Sequence, residues 1–168
     1  YLGDHLFDGT LEFLQRVKAQ GGRSVFVTNN SSRSVSAYVK RLTDMGVPGI
    51  TAEDFLTSVD ALCWYLRGKY DDALIYAFGT KTFREQLAEA GFRVTDKLED
   101  GISLLVCGFD TELTFQKLED ACILLGKDVD YVATNPDWVC PTWYGSVPDC
   151  GSFCEMLYRA TKKRPKFI

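Results

Sequence analysis

Residues Ser24-Val25-Phe26-Val27-Thr28-Asn29-Asn30-Ser31 constrain this chain more than any other stretch. A run of residues with strong β preference leads straight into side chains that hydrogen-bond anions. In an open α/β sheet, ligands bind just beyond the carboxyl ends of the strands, so Thr28, Asn29 and Asn30 mark a candidate site. The next residues, Ser31-Ser32-Arg33-Ser34, can cap a helix beginning near Val35 and leave its first amide groups toward the same crevice. Spacing alone leaves a plainer reading open, a polar loop that only caps the helix.

The pattern on either side alternates strand with helix, which predicts an α/β fold with parallel strands. Leu11, Leu14, Val17 and Lys18 follow helical spacing and stop at Gly21-Gly22. A strand is expected over residues 24–28, a helix over 34–45, and a capping box at Thr51-Ala52-Glu53-Asp54. A strand over 55–58 and a helix over 61–69 follow. The polar stretch 69–72 is a pause, after which strands are expected at 73–78, 92–94, 102–107 and 131–133. Helices are expected at 81–90 and 114–125, then a loop from Asn135 to Gly151 and a last helix reaching about Ala160. The chain therefore divides into a first unit, residues 1–70, a second, 71–163, and a strand beginning within 164–168 that returns to the first.

Composition narrows the function classes. With 46% hydrophobic and 25% charged residues, the 168-residue chain has the make-up of a packed globular protein. A net charge of −4 and a pI near 5.0 exclude the basic face of a general nucleic-acid binder. The cluster Lys162-Lys163-Arg164-Pro165-Lys166 is short and reads as a solvated turn. No apolar run approaches the roughly 20 residues of a membrane helix. Cys63, Cys107 and Cys122 lie inside apolar stretches, the pattern of small buried hydrophobes in a reducing compartment, so a cytoplasmic protein is expected.

Cys140, Cys150 and Cys154 raise the question of zinc. The spacing Cys150-Gly151-Ser152-Phe153-Cys154 is not a two-residue knuckle, and the sole histidine is His5, so zinc and a nucleophilic cysteine are both set aside. No Gly-x-Gly-x-x-Gly follows a strand, which removes a dinucleotide-binding domain.

The run Val25-Phe26-Val27-Thr28-Asn29-Asn30-Ser31-Ser32-Arg33-Ser34 resembles the second motif of the haloacid-dehalogenase-like hydrolases. More narrowly, it is similar to the group with a large α/β cap, of p-nitrophenylphosphatase and N-acetylglucosamine-operon phosphatase type. The resemblance continues through Ile75-Tyr76-Ala77-Phe78-Gly79, Gly91-Phe92, Val106-Cys107-Gly108-Phe109-Asp110 and Leu113-Thr114-Phe115-Gln116-Lys117-Leu118. It ends in Ala133-Thr134-Asn135-Pro136-Asp137 and Val147-Pro148-Asp149-Cys150-Gly151, and so spans nearly the whole chain in order.

The resemblance implies a Rossmann-like parallel-sheet core, incomplete in this chain, with an inserted α/β cap domain over residues 71–163. It implies a phosphatase dependent on Mg2+, in which one aspartate attacks phosphorus and a second, two residues later, serves as acid and base. By position Thr28 and Asn29, with Asn30 beside them, would bind phosphoryl oxygens. Asn135, Asp137, Trp143 and Tyr144 would form a cap loop over the leaving group; the turn signal in Asn135-Pro136-Asp137 and packing by the aromatics are the structural alternatives. The partner implied is a small phosphorylated metabolite, with no nucleic acid and no membrane, and a homodimer through the cap is a further expectation.

Two departures matter. Asp8-Gly9-Thr10 imitates the end of the nucleophile motif, but Leu6 stands where a second aspartate belongs, and the triplet is assigned to a turn that starts a helix. Lys166-Phe167-Ile168 reads as the strand that precedes the family's Gly-Lys-Pro. The nucleophile, the lysine and the metal carboxylates are therefore expected outside these residues, and the chain alone is expected to be inactive. A non-catalytic phosphate-binding module that lost the aspartates is the alternative from another class.

Overall fold

The structure, a computed structural model, describes residues 1–127 and 129–168. The chain opens with helix α1 (Thr10–Ala19), entered through Gly9 at φ 78°, so Asp8-Gly9-Thr10 is indeed the turn into a helix. Strand β1 (Phe26–Thr28) leads to α2 (Val35–Asp44), whose N-cap Ser34 accepts the Ala37 amide at 3.3 Å. A single 3-10 turn (Ala52–Asp54) precedes β2 (Phe55–Thr57); there the Asp54 carboxylate accepts the Thr51 amide at 2.9 Å, as the capping-box spacing requires. β1 and β2 pair in parallel with Thr28 opposite Thr57, so both strands end at the same level.

Helix α3 (Ser58–Leu66) follows without a gap. Its cap is Thr57, whose Oγ1 accepts the Asp60 amide at 3.2 Å while Asp60 reaches back to the Thr57 amide at 2.8 Å. That reciprocal cap draws Ser58, expected in a strand, into the first helical turn.

The second sheet contains β3 (Leu74–Phe78), β4 (Arg93–Thr95), β5 (Ile102–Cys107), β6 (Asp130–Ala133) and β9 (Lys166–Phe167), in the order β4-β3-β5-β6-β9 and all parallel. Helices α4 (Lys81–Glu89), α5 (Phe115–Gly126) and α6 (Cys150–Thr161) connect and cover it. Burial on both faces accounts for the near-continuous apolar runs in β3 and β5. Tyr76, Phe78, Leu105, Cys107 and Ala133 point one way, onto Ala121, Leu124 and Leu125 of α5 and Phe153, Cys154 and Leu157 of α6. Ile75, Ala77, Leu104, Val106 and Val132 point the other, onto Phe83 and Leu87 of α4 and Val59, Leu62, Cys63 and Leu66 of α3.

Three expectations need correction. The segment 164–168 does not return to the first sheet: Lys166 and Phe167 pair with Val132 and Ala133, because the open edge of β6 offers unpaired backbone groups. Helix α3, expected with the first unit, spends its apolar stripe on the second sheet. The segment 135–151 is not all loop: β7 (Val139–Thr142) and β8 (Gly145–Pro148) form an antiparallel hairpin. Pro141 and Pro148 hid the strands from a reading by β propensity. At the hairpin turn Gly145 takes φ 133°, a value that suits glycine.

Phe83 is the keystone of the second core. Fully buried, its ring underlies both Gly79 and Gly108, where any added Cβ would meet it. Phe83→Ala is expected to destabilise the chain by about 3–5 kcal/mol, read as a lower midpoint in urea unfolding at an unchanged slope.

Candidate functional site

The carboxyl ends of the two sheets converge on one loop, residues 29–33. On the first sheet, Thr28 closes β1, and its Oγ1 accepts the Asn30 amide at 3.2 Å. Asn30 then turns the chain: its Oδ1 accepts the Ser32 amide at 2.9 Å and the Ser32 hydroxyl at 2.6 Å. Tyr38 of α2 donates its hydroxyl to the Asn30 carbonyl at 3.3 Å, and burial pushes that phenol up, which keeps it protonated and donating.

The second sheet grips the same loop from its own strand ends. Ser31 is completely buried, and its Oγ accepts the Phe109 amide at 2.8 Å, just past β5. Gly108 is glycine because a Cβ there would come within 2.7 Å of that hydroxyl. Thr80, past β3, donates to the Ser32 carbonyl at 3.2 Å.

Asn29 joins the two units. Its carbonyl accepts from Ser58 Oγ at 2.8 Å and from Asn135 Nδ2 at 3.0 Å, and its own Nδ2 donates to Asp137 Oδ2 at 3.0 Å. Asn135 is 1% exposed, and its Oδ1 accepts the Asp137 amide at 2.9 Å, so one side chain shapes the turn and holds Asn29 at once. The Asp137 carbonyl accepts the Gly151 amide at 2.8 Å, which ties the loop to the start of α6. There Asp149 caps the helix through the Cys150 amide, and burial pushes its carboxyl above the usual aspartate range.

Of the residues singled out by sequence, Thr28, Asn29, Asn30, Asn135 and Asp137 come together. Trp143 and Tyr144 form the exposed hairpin turn, edge to face with ring centroids 5.2 Å apart. Trp143 lies beside Gly3, which a neighbouring contact anchors: Arg41 donates to the Gly3 carbonyl at 2.7 Å. Ser31 and Ser58 were not anticipated; as small hydroxyls flanking the polar run and opening a helix, they carry no signal that separates them from caps.

Among the described residues, no cluster of acidic groups accompanies Thr28, and the one group of three candidate ligands is Cys107, Cys150 and Cys154, whose thiols suit soft cations and not Mg2+.

Residues 1–93 match the haloacid dehalogenase-like hydrolase family. The chain belongs to that family. Over all 168 residues it is 29% identical to an acid sugar phosphatase of Staphylococcus haemolyticus and 29% identical to a 5'-nucleotidase of Bacillus subtilis. It spans 63% and 64% of their respective lengths. Its fold matches a 4-nitrophenylphosphatase from Thermotoga maritima with a TM-score of 0.92 at 35% identity, covering 100% of this chain and 63% of that one. A glycerol phosphate phosphatase from Mycobacterium tuberculosis, in complex with magnesium, matches with a TM-score of 0.90 at 28% identity, covering 99% of this chain and 50% of that one. The family and its p-nitrophenylphosphatase group are thus as the motifs implied.

The bridge through Asn135 has a direct test. Asn135→Ala removes the Asn29 and Asp137 bonds together, leaving the Asn29 carbonyl to Ser58 alone and the Asp137 amide without its acceptor, at a cost of about 1–3 kcal/mol. The segment 135–151 is expected to lose protection in amide hydrogen exchange before the sheet does.

Proposed function

We propose that this chain supplies the phosphate-binding strand and the substrate-covering unit of a magnesium-dependent phosphomonoester hydrolase acting on small phosphorylated metabolites. The observation that carries the reading is the convergence on Asn29, held by β1, by Ser58 and by the Asn135–Asp137 turn. Phosphoryl transfer is chiefly positioning and stabilisation of charge on the equatorial oxygens. The Thr28 hydroxyl and the Asn29 amide are neutral donors at a strand end, suited to two of those oxygens, and the pins on Asn29 keep them from reorganising.

An anion already occupies the Asn29 amide, the Asp137 carboxylate. In this reading a phosphoryl oxygen displaces it, and the part of the loop beyond Asn135 moves as the site fills and then covers the substrate while Asn135 keeps its bond to the Asn29 carbonyl. Residues 71–163, with β9 paired at the edge of their sheet, act as the cap, with Asn135, Asp137, Trp143 and Tyr144 facing the leaving group. The nucleophilic aspartate, the acid–base aspartate, the lysine and the metal carboxylates belong to parts of the longer protein outside these residues, so the 168-residue chain serves as an inactive control. Magnesium, when bound there, would neutralise phosphoryl charge; no residue of this chain is assigned to it. The cytoplasmic setting rests on six free cysteines, and a homodimer through the cap would use the exposed Phe115, Ile123 and Met156.

In the longer protein, Thr28→Ala removes a hydrogen bond to a charged group, worth about 1.5–3 kcal/mol, so kcat/KM should fall roughly ten- to a hundred-fold with the fold intact. Unchanged kinetics in a folded variant would take Thr28 out of the site. Trp143→Ala and Tyr144→Ala are expected to reorder preference across a panel of sugar, nucleoside, glycerol and aryl phosphates. If all rates fell together in the original order, the hairpin would be structural only.

A further inference from the structure

Cys107, Cys150 and Cys154 belong to nothing described so far. Their sulfurs lie within 4.8 Å of one another, and all three residues are buried. Cys107 ends β5, while Cys150 and Cys154 are one turn apart at the start of α6. The Cys107 and Cys150 sulfurs are 3.9 Å apart, far beyond the roughly 2.04 Å of a disulfide. On a cation with bonds of about 2.3 Å to sulfur, two thiolates lie roughly 3.8–4.0 Å apart in tetrahedral or trigonal geometry. The Cys107–Cys150 pair therefore has the spacing of two sulfurs around one ion, and the Cys154 sulfur lies within 4.8 Å of both.

A second observation points into the same space. The Tyr131 hydroxyl is buried, 8% of the residue being exposed, and it lies beside the Cys154 thiol with no hydrogen-bond partner among the described residues. An orphaned phenol costs free energy, and a ligand in the cluster would give it a partner.

We propose that Cys107, Cys150 and Cys154 form a buried three-thiolate Zn2+ site, with the Tyr131 hydroxyl directed at the bound group. Three thiolates are soft donors, which select zinc or copper(I) over magnesium. Charge decides between those two. Three thiolates leave a net −1 around Zn2+ and −2 around Cu+, and the lower buried charge costs less among Phe109, Phe153 and Leu157. The positive end of α6 stabilises that residual charge, since Cys150 is its first residue. On binding, each S–H bond breaks, its electron pair passes to the metal bond, and three protons leave to solvent with no change of oxidation state. The ion would clamp the end of β5 to α6, and through Gly151 to the turn that carries Asp137. Sequence spacing concealed the site because Cys107 lies 43 residues before Cys150, and the nearer Cys140 drew attention instead.

The site does not depend on the phosphatase reading and is tested without activity. The full chain, kept reduced and stripped with a chelator, is titrated with Cd2+ alone and with Zn2+ alone. The expected results are a thiolate-to-cadmium charge-transfer band that saturates at one equivalent and a rise in Tm with Zn2+. Cys107→Ser and Cys154→Ala should each lose the band, while Cys122→Ser and Cys140→Ser keep it. If a cluster variant fails to fold, the stoichiometry of the unmodified chain and the two controls still decide. Absence of the band from the unmodified chain, its survival in folded Cys107→Ser, its loss in Cys140→Ser, or a disulfide among the three in the non-reduced protein would each overturn the proposal. Saturation by Cu+ with no Tm response to Zn2+ would overturn the choice of ion.

Discussion

The Asn29 carbonyl is the joint on which this structure turns. A backbone oxygen at the end of a strand would ordinarily be left to solvent, but this one is claimed by Ser58 from the first unit and by Asn135 from the second. Each bond contributes only about 1 kcal/mol net. Their importance is geometric, because they fix the peptide that sets the direction of the Thr28 and Asn29 side chains. The same loop is gripped by Ser31 and Thr80 against the second sheet. A loop held this way is fixed at its strand end, and its supports come from elements with their own cores.

Those supports depend in turn on the five-stranded sheet. Its strands hold both faces under helices, so their residues alternate between two apolar layers and the strand ends arrive at fixed heights. Lys117 reinforces that alignment, donating to Asp110 at 2.8 Å and to the Gly79 carbonyl at 2.9 Å, and so lashes the ends of β5 and β3 together. A largely buried ion pair of this kind contributes through the hydrogen bonds it satisfies more than through its charge.

Much of this was legible in the amino-acid sequence, for physical reasons. Helices announced themselves through apolar spacing and, for α2, through the cap Ser34, while Thr57, Thr80 and Thr114 show only in the structure that each accepts an amide that would otherwise go unpaired. Thr28 and Asn29 stood out because a β run leads straight into hydroxyl and amide groups, and the family resemblance, where spacing alone left a helix-capping loop open, marked them as candidates. The parts that stayed hidden depend on distant segments. Nothing local says that Lys166 and Phe167 would find the edge of β6, that α3 would lie on the second sheet, or that Cys107 would face Cys150. Asn135 was read as a turn residue, which its bond to the Asp137 amide supports, yet its other end reaches a carbonyl 106 positions earlier.

The prolines of the small hairpin have a consequence for crowded solutions. Pro141 stands opposite Ser146 and Pro148 opposite Val139, one position outward from pairs that exchange ladder bonds, so each missing N–H faces away from the partner strand. Both outer margins of the ribbon thereby lack a donor where another chain would seek one. A two-stranded ribbon carrying Trp143, Tyr144 and Val139 in the open would otherwise be a template for runaway strand addition. With that route blunted, the aromatic tip is free to change in sequence without making the molecule sticky.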